Sequence, residues 1–338
     1  MTISRELVRQ TLEFKCPKRV ARQMWILPWA HIYESESVKK IVADFPDDII
    51  WDMPVPYKTP PQKTGNLYEI GTYIDEWGCE FTSIRRGYVG EVKKPLVLRE
   101  NWEDADNIRI PVEMLDIDIN AVNAYCAGTD KFVVQTDMIR VFERLQFIRG
   151  TSELFIDIAE ENEGMREFIK KLHDFNCRAV EVWCKTNIDA VLLMDDWGSQ
   201  NSLLIDPKTW VSMFKPLYAE YCQIAKKHGK KVFMHSDGCT LQIIPHLIEI
   251  GVDAANLQLS CIGVENLAPY KGKLTFWGEI CRQHILPNAS LDRVQQVVQN
   301  IFETLWDNGG CIAQCEFGPG AKPENVYKVF DVWSKLLN

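Results

Sequence analysis

The chain has 338 residues, of which 46% are hydrophobic and 25% charged, with a formal net charge of −9. This is the composition of a soluble globular protein with one large domain or two average ones. The acidic balance and the lack of basic runs exclude a nucleic-acid binder, and no apolar run of about 18 residues reads as membrane-spanning.

The opening stretch MTISRELVRQTLEFKCPKRV lacks the continuous apolar core of a secretion signal. A reducing cytoplasm is therefore expected, with the 11 scattered cysteines free and mostly serving as small core residues. Strand-like runs then recur along the chain. RQMWIL (22–27) and DIIWDM (48–53) come first, and FVVQTD (132–137) follows. A long helical region is expected over 153–186, then a strand in AVLLMDDWG (190–198). The stretch 206–229 reads as a helix, capped by Asp206, with Pro207 at its first position and Gly229 at its end. KVFMHSD (231–237), DAANLQL (253–259), LTFWGEI (274–280) and CIAQCE (311–316) complete eight strands. Helices are expected at 240–250, 290–307 and 323–337.

Eight strands, nearly all followed by helices, imply parallel pairing with right-handed crossovers. The expected architecture is α/β, a (β/α)8 TIM barrel. It is read as one domain over 1–338, with the barrel starting near residue 20. A doubly wound sheet is the alternative, but no Gly-rich dinucleotide fingerprint supports it. Residues 54–131 are too long for a βα connection and form a long insertion near the barrel mouth.

In such a barrel the chemistry lies at the C-terminal strand ends. Those ends carry Trp51 and Asp52, then Asp195 and Asp196, then His235 and Asp237. Asn256 and Gln258 follow, then Trp277 and Glu279, then Gln314, Cys315 and Glu316. Singly, each carboxylate is most simply a helix cap, and Asp237-Gly238 is a turn signal. Together they are denser than a structural barrel requires. His235 and Asp237 stand two apart, so they share one face of their strand. With Cys315 they make a donor set suited to zinc. Trp25 reads as core, whereas Trp29, Trp51, Trp197 and Trp277 are candidates for an aromatic mouth around a flat ligand.

DDWGSQNSLLIDPKTWVSMFKPLY, KKHGKKVFMHSDG, GVDAANLQ, TFWGEICRQHILP and KPENVYKVF closely resemble the uroporphyrinogen decarboxylase superfamily. That resemblance implies a (β/α)8 barrel and one of two chemistries, tetrapyrrole decarboxylation or corrinoid-linked methyl transfer. Decarboxylases carry two substrate-binding arginines after the first strand. Here WILPWAHI places Pro28 and Ile32 there, although Asp52 matches the decarboxylase aspartate. Cys315 stands nine residues before Glu324-Asn325, where the methyltransferase branch has a zinc-ligating cysteine. His235 matches the histidine of that branch's His-x-Cys, with Asp237 in place of the cysteine.

The resemblance implies a zinc-assisted methyltransferase with a metal site of His235, Asp237 and Cys315. Cys239 and Glu279 are alternatives for completing it, and Asp52, Asp196 and Glu279 are the catalytic candidates. The expected donor is a small methylated molecule, an aryl methyl ether being favoured (O-demethylation). The expected acceptor is a corrinoid (cobalamin) carried by a partner protein, or a thiol or folate. A homodimer is left open, and a decarboxylase of uroporphyrinogen or another carboxylated substrate is the alternative.

Overall fold

The computed structural model describes residues 3–337. Eleven strands are β1 (Ala21–Ile26), β2 (Ile49–Ile50), β3 (Gly71–Ile74), β4 (Glu80–Ser83), β5 (Glu91–Lys94), β6 (Phe132–Val133), β7 (Ala190–Met194), β8 (Lys231–Ser236), β9 (Ala254–Leu257), β10 (Thr275–Trp277) and β11 (Cys311–Phe317). Six of them form one curled parallel sheet in the order β1-β11-β10-β9-β8-β7. β2 and β6 pair in parallel beside it. Backbone N–H groups of Asp48 and Gln135 reach Arg22 O and Ala190 O, each at 2.9 Å. The fold is thus α/β and TIM-barrel-like, as expected, with all eight expected strands present.

Alternation along the strands builds two cores. Trp25, Phe132, Phe233, Trp277 and Ile312 pack inside the curl, while Val232, Met234, Cys311, Ala313 and Cys315 pack outward in the core shared with the helices. Leu7, Val8 and Leu12, on one face of a helix at Ser4–Leu12, join the inner core. Arg5 and Arg9 of this helix bind Asp189, just before β7, so it covers the N-terminal end of the strands. Sequence reading assigned no element there.

Two segments differ from expectation. The insertion at 54–131 holds its own antiparallel sheet, β3-β4-β5. Buried Arg144 ties it to the helical layer through Asp75 and through Glu76 at 2.8 Å. The expected 153–186 helix starts earlier and is three helices, Phe142–Arg149, Thr151–Ala159 and Glu163–Cys184. Gly150, at φ +88°, makes the first break, and the Asn162 side chain caps the third helix by accepting from Met165 N. The expected 206–229 helix is present, with a π-helical turn at Trp210–Phe214 just before Pro216, which cannot donate to the regular ladder.

Candidate active site

The carboxyl ends of β7, β8 and β9 bring three groups together. His235, the last residue but one of β8, points inward and is 7% exposed. Its Nε2 lies 3.4 Å from Asp196 Oδ1 and 3.7 Å from Asp237 Oδ1. These three atoms all fall within 4.8 Å of one another, close enough to share one metal ion. The backbone N–H of Asp237 donates to Asp196 Oδ1 at 3.0 Å, locking the two loops together. Gly238 completes the turn at φ +79°, its Cα pressed against the backbone of Gly198 so that no side chain fits. Asp237-Gly238 is therefore both a turn and part of this cluster of metal-capable side chains.

On its other side, His235 Nδ1 is 2.6 Å from Asn256 Oδ1. The Asn256 amide N–H donates to Trp277 O, which fixes Oδ1 as the atom facing the ring. Nδ1 therefore carries a proton, and Nε2 is left for the carboxylates or for a metal. Burial pulls the His235 pKa down, but Asp196 and Asp237 outweigh it and push it up to about 9. Without a metal the ring is thus an imidazolium paired with Asp196. Asp237 Oδ1 is buried with no hydrogen-bond partner, while Oδ2 accepts from Arg282.

Arg282 also reaches Glu316 at 3.1 Å and Glu279 at 3.7 Å. Glu279 is buried, and this desolvation, only partly offset by Arg282, pushes its carboxyl up to about 8. It is a neutral acid at pH 7 beside charged partners, a common property of catalytic acids. Trp25 stands against the imidazole, its ring centroid 5.0 Å from that of His235 and 4.6 Å from that of Trp51. Trp277 completes the wall 5.3 Å from Trp25.

The other candidates are placed as follows. Cys315 is fully buried and sits on the outward face of β11 with Cys311 and Ala313. It joins neither of the two groups of metal-capable side chains among the described residues. Alternation explains this: Cys315 is three residues from inward Ile312, and the next residue, Glu316, is the one that meets Arg282. Cys239 is half-buried and outside both groups. Of the Asp195-Asp196 pair, Asp195 is spent on structure, accepting from Val141 N, Glu143 N and Tyr218 OH at 2.5–2.8 Å. Asp52 is exposed, 3.4 Å from Tyr125 OH. Trp29 is half-buried against Tyr33 rather than in the aromatic wall. Trp197 has no exposure, stacks on Phe142 at 4.2 Å and donates to Tyr218 OH, so it belongs to the core. Trp25, read from sequence as core, is indeed in the inner core, where its ring meets His235 and Trp51. Asn256, though a strand-end residue, and Arg282 were not singled out. Their signal is spacing alone, Asn256 on the strand next to His235 and Arg282 three residues after Glu279.

Among known proteins, no curated sequence matches this chain. The solved structure of a methyltransferase from Methanosarcina mazei is similar with a TM-score of 0.71 at 10% identity, covering 100% of both chains. A dihydropteroate synthase from Coxiella burnetii aligns at TM-score 0.32 and 11% identity over 46% of this chain and 59% of its own. An IOLI protein with a bound zinc atom aligns at 0.35 and 14% over 67% and 82%. Neither of these two scores bears on the fold. The family model for uroporphyrinogen decarboxylase (URO-D) matches residues 145–336, more than half of the sequence, and the chain belongs to that family.

Proposed function

We propose that this protein is a metal-assisted methyltransferase whose eight strands close into one single-domain barrel. The observation that carries this reading is the His235–Asp196–Asp237 group with Asn256 behind it. One imidazole nitrogen is held in the ligating tautomer, and one buried carboxylate oxygen beside it accepts no hydrogen bond. A nitrogen and two carboxylate oxygens fit zinc, which takes such donors and keeps a position open for substrate. When bound, zinc would polarise the donor's oxygen or nitrogen, or hold a thiol acceptor as thiolate.

The remaining roles fall to the chain's own side chains. Arg282 holds Asp237 by Oδ2 and leaves Oδ1 facing His235. Half-buried Trp51, beside Trp25, binds the flat body of an aryl methyl ether and keeps water off it, with fully buried Trp277 packed behind them. Glu279, neutral at pH 7, supplies the proton that the departing oxygen or nitrogen needs. The methyl group passes to a reduced corrinoid (cobalamin) carried by a partner protein, or to a thiol or folate acceptor. No helix among the described residues is long and apolar enough to cross a membrane, and a cytoplasmic location suits a reduced corrinoid. Decarboxylation is less well supported, since Pro28 and Ile32 replace arginines and Asp52 is exposed.

Incubating zinc-loaded protein with free cob(I)alamin and a panel of aryl methyl ethers and methylamines tests this. Appearance of methylcobalamin with at least one donor is expected. Turnover of uroporphyrinogen with no methyl transfer from any donor would overturn it.

A further inference from the structure

A second group of metal-capable side chains lies on the outside of the sheet, away from the strand ends. It bridges the helices Glu163–Cys184 and Lys215–Lys227. His173 and Cys177 are four residues apart and so share one helix face. Glu220 comes from the other helix. His173 Nε2 is 2.9 Å from Glu220 Oε2, and Cys177 Sγ is 3.7 Å from the same nitrogen. One donor atom from each residue lies within 4.8 Å of the other two.

The histidine is held from behind, as a ligating ring usually is. Its Nδ1 is 2.8 Å from the hydroxyl of fully buried Tyr221, and Asn176 Nδ2 approaches that hydroxyl at 3.4 Å. The buried oxygen fixes the ring and leaves Nε2 facing the carboxylate, while Cys177 Sγ lies beside the ring, 3.7 Å from Nε2 and 3.8 Å from Nδ1. His173 and Cys177 are half-buried and Glu220 is exposed, so an ion can reach the site from solvent.

We propose that His173, Cys177 and Glu220 form a second site for a thiophilic divalent cation of the zinc class, clasping the two helices together. Binding replaces the Cys177 S–H proton, which leaves to solvent, by a metal–sulfur bond. Thiolate and carboxylate then balance the two positive charges of the ion, and a water completes the coordination. The site does not depend on the reading of the strand-end group. It differs from it in one measurable way, because the strand-end group contains no sulfur.

Cobalt(II) titration of the full chain separates the two. A thiolate-to-cobalt charge-transfer band is expected in wild-type protein and in His235→Ala. It should vanish in Cys177→Ser and fall strongly in His173→Ala. Zinc should raise the melting temperature of His235→Ala but not of the Cys177→Ser, His235→Ala double variant. Absence of the band in wild type, or its persistence in Cys177→Ser, would overturn the proposal. Should Cys177→Ser fail to fold, exposed Glu220→Gln serves instead. It should weaken the cobalt titration by about tenfold or more, and an unchanged titration counts against the site.

Discussion

Asn256 Oδ1 lies 2.6 Å from Nδ1 of His235, and through that bond a neighbouring strand decides which imidazole nitrogen faces Asp196 and Asp237. Asn256→Ala should free the ring without emptying the site. Loss of such a supporting hydrogen bond costs about 10- to 100-fold in metal affinity. Zinc competition titration checks it, and an unchanged affinity would mean that Asn256 does not orient the ring.

Cys315→Ala should leave metal content unchanged. The thiol is fully buried on the outward face of β11, so the cost is packing, about 1 kcal/mol for a small cavity. Metal analysis beside a denaturant melt separates the two effects.

The tryptophans divide the same way. Trp197→Ala should destabilise the fold by about 3–5 kcal/mol, because it removes a fully buried ring stacked on Phe142. Trp51→Phe, at a half-buried wall position, should cost under about 1.5 kcal/mol. It should raise KM for the methyl donor more than it lowers kcat.

Glu279 makes stability depend on pH. Its folded-state pKa, pushed by burial from 4.5 to about 8, exceeds that of the unfolded chain. Between those values the folded protein keeps a proton that the unfolded chain has released, so this group lowers stability as pH rises through the window. Glu279→Gln removes the ionising group. In metal-free protein its stability relative to wild type should grow from pH 5 to pH 8, by a few kcal/mol at most. Urea melts across that range would show a constant difference if Glu279 were not buried as an acid.

The eight expected parallel strands were legible because each is a short apolar run that ends polar, and parallel strands buried on both faces read that way. His235 and Asp237 were legible for a simpler reason, since counting by two along a strand keeps both on one face. The same count applied to Cys315 from apolar Ile312 gives the outward face. Its place at a strand end and its spacing to Glu324-Asn325 locate the residue along the chain but not around the strand. The small β3-β4-β5 sheet had no clear signal: β3 reads GTYI with no buried residue, and β5 reads EVKK and is mostly exposed. Trp51 and Trp197 could not be told apart by composition, because whether a strand-end ring stays half-buried or enters the core depends on how the chain turns after each strand. Asp196 and Asp195 pose the same problem. Adjacent residues point opposite ways, and only the structure shows Asp195 accepting from the backbone at Val141 and Glu143.

The central claim is that His235, Asp196 and Asp237 hold the catalytic metal, and metal analysis with the methyl-transfer assay tests it most directly. The Cys177→Ser background removes the outer helical site from the count. In that background, protein purified without chelators should hold about one zinc per chain. Adding His235→Ala should remove the zinc and methylcobalamin formation together, with the fold retained by circular dichroism. Full zinc content in the His235→Ala double variant, or methyl transfer undiminished without the metal, would contradict the account.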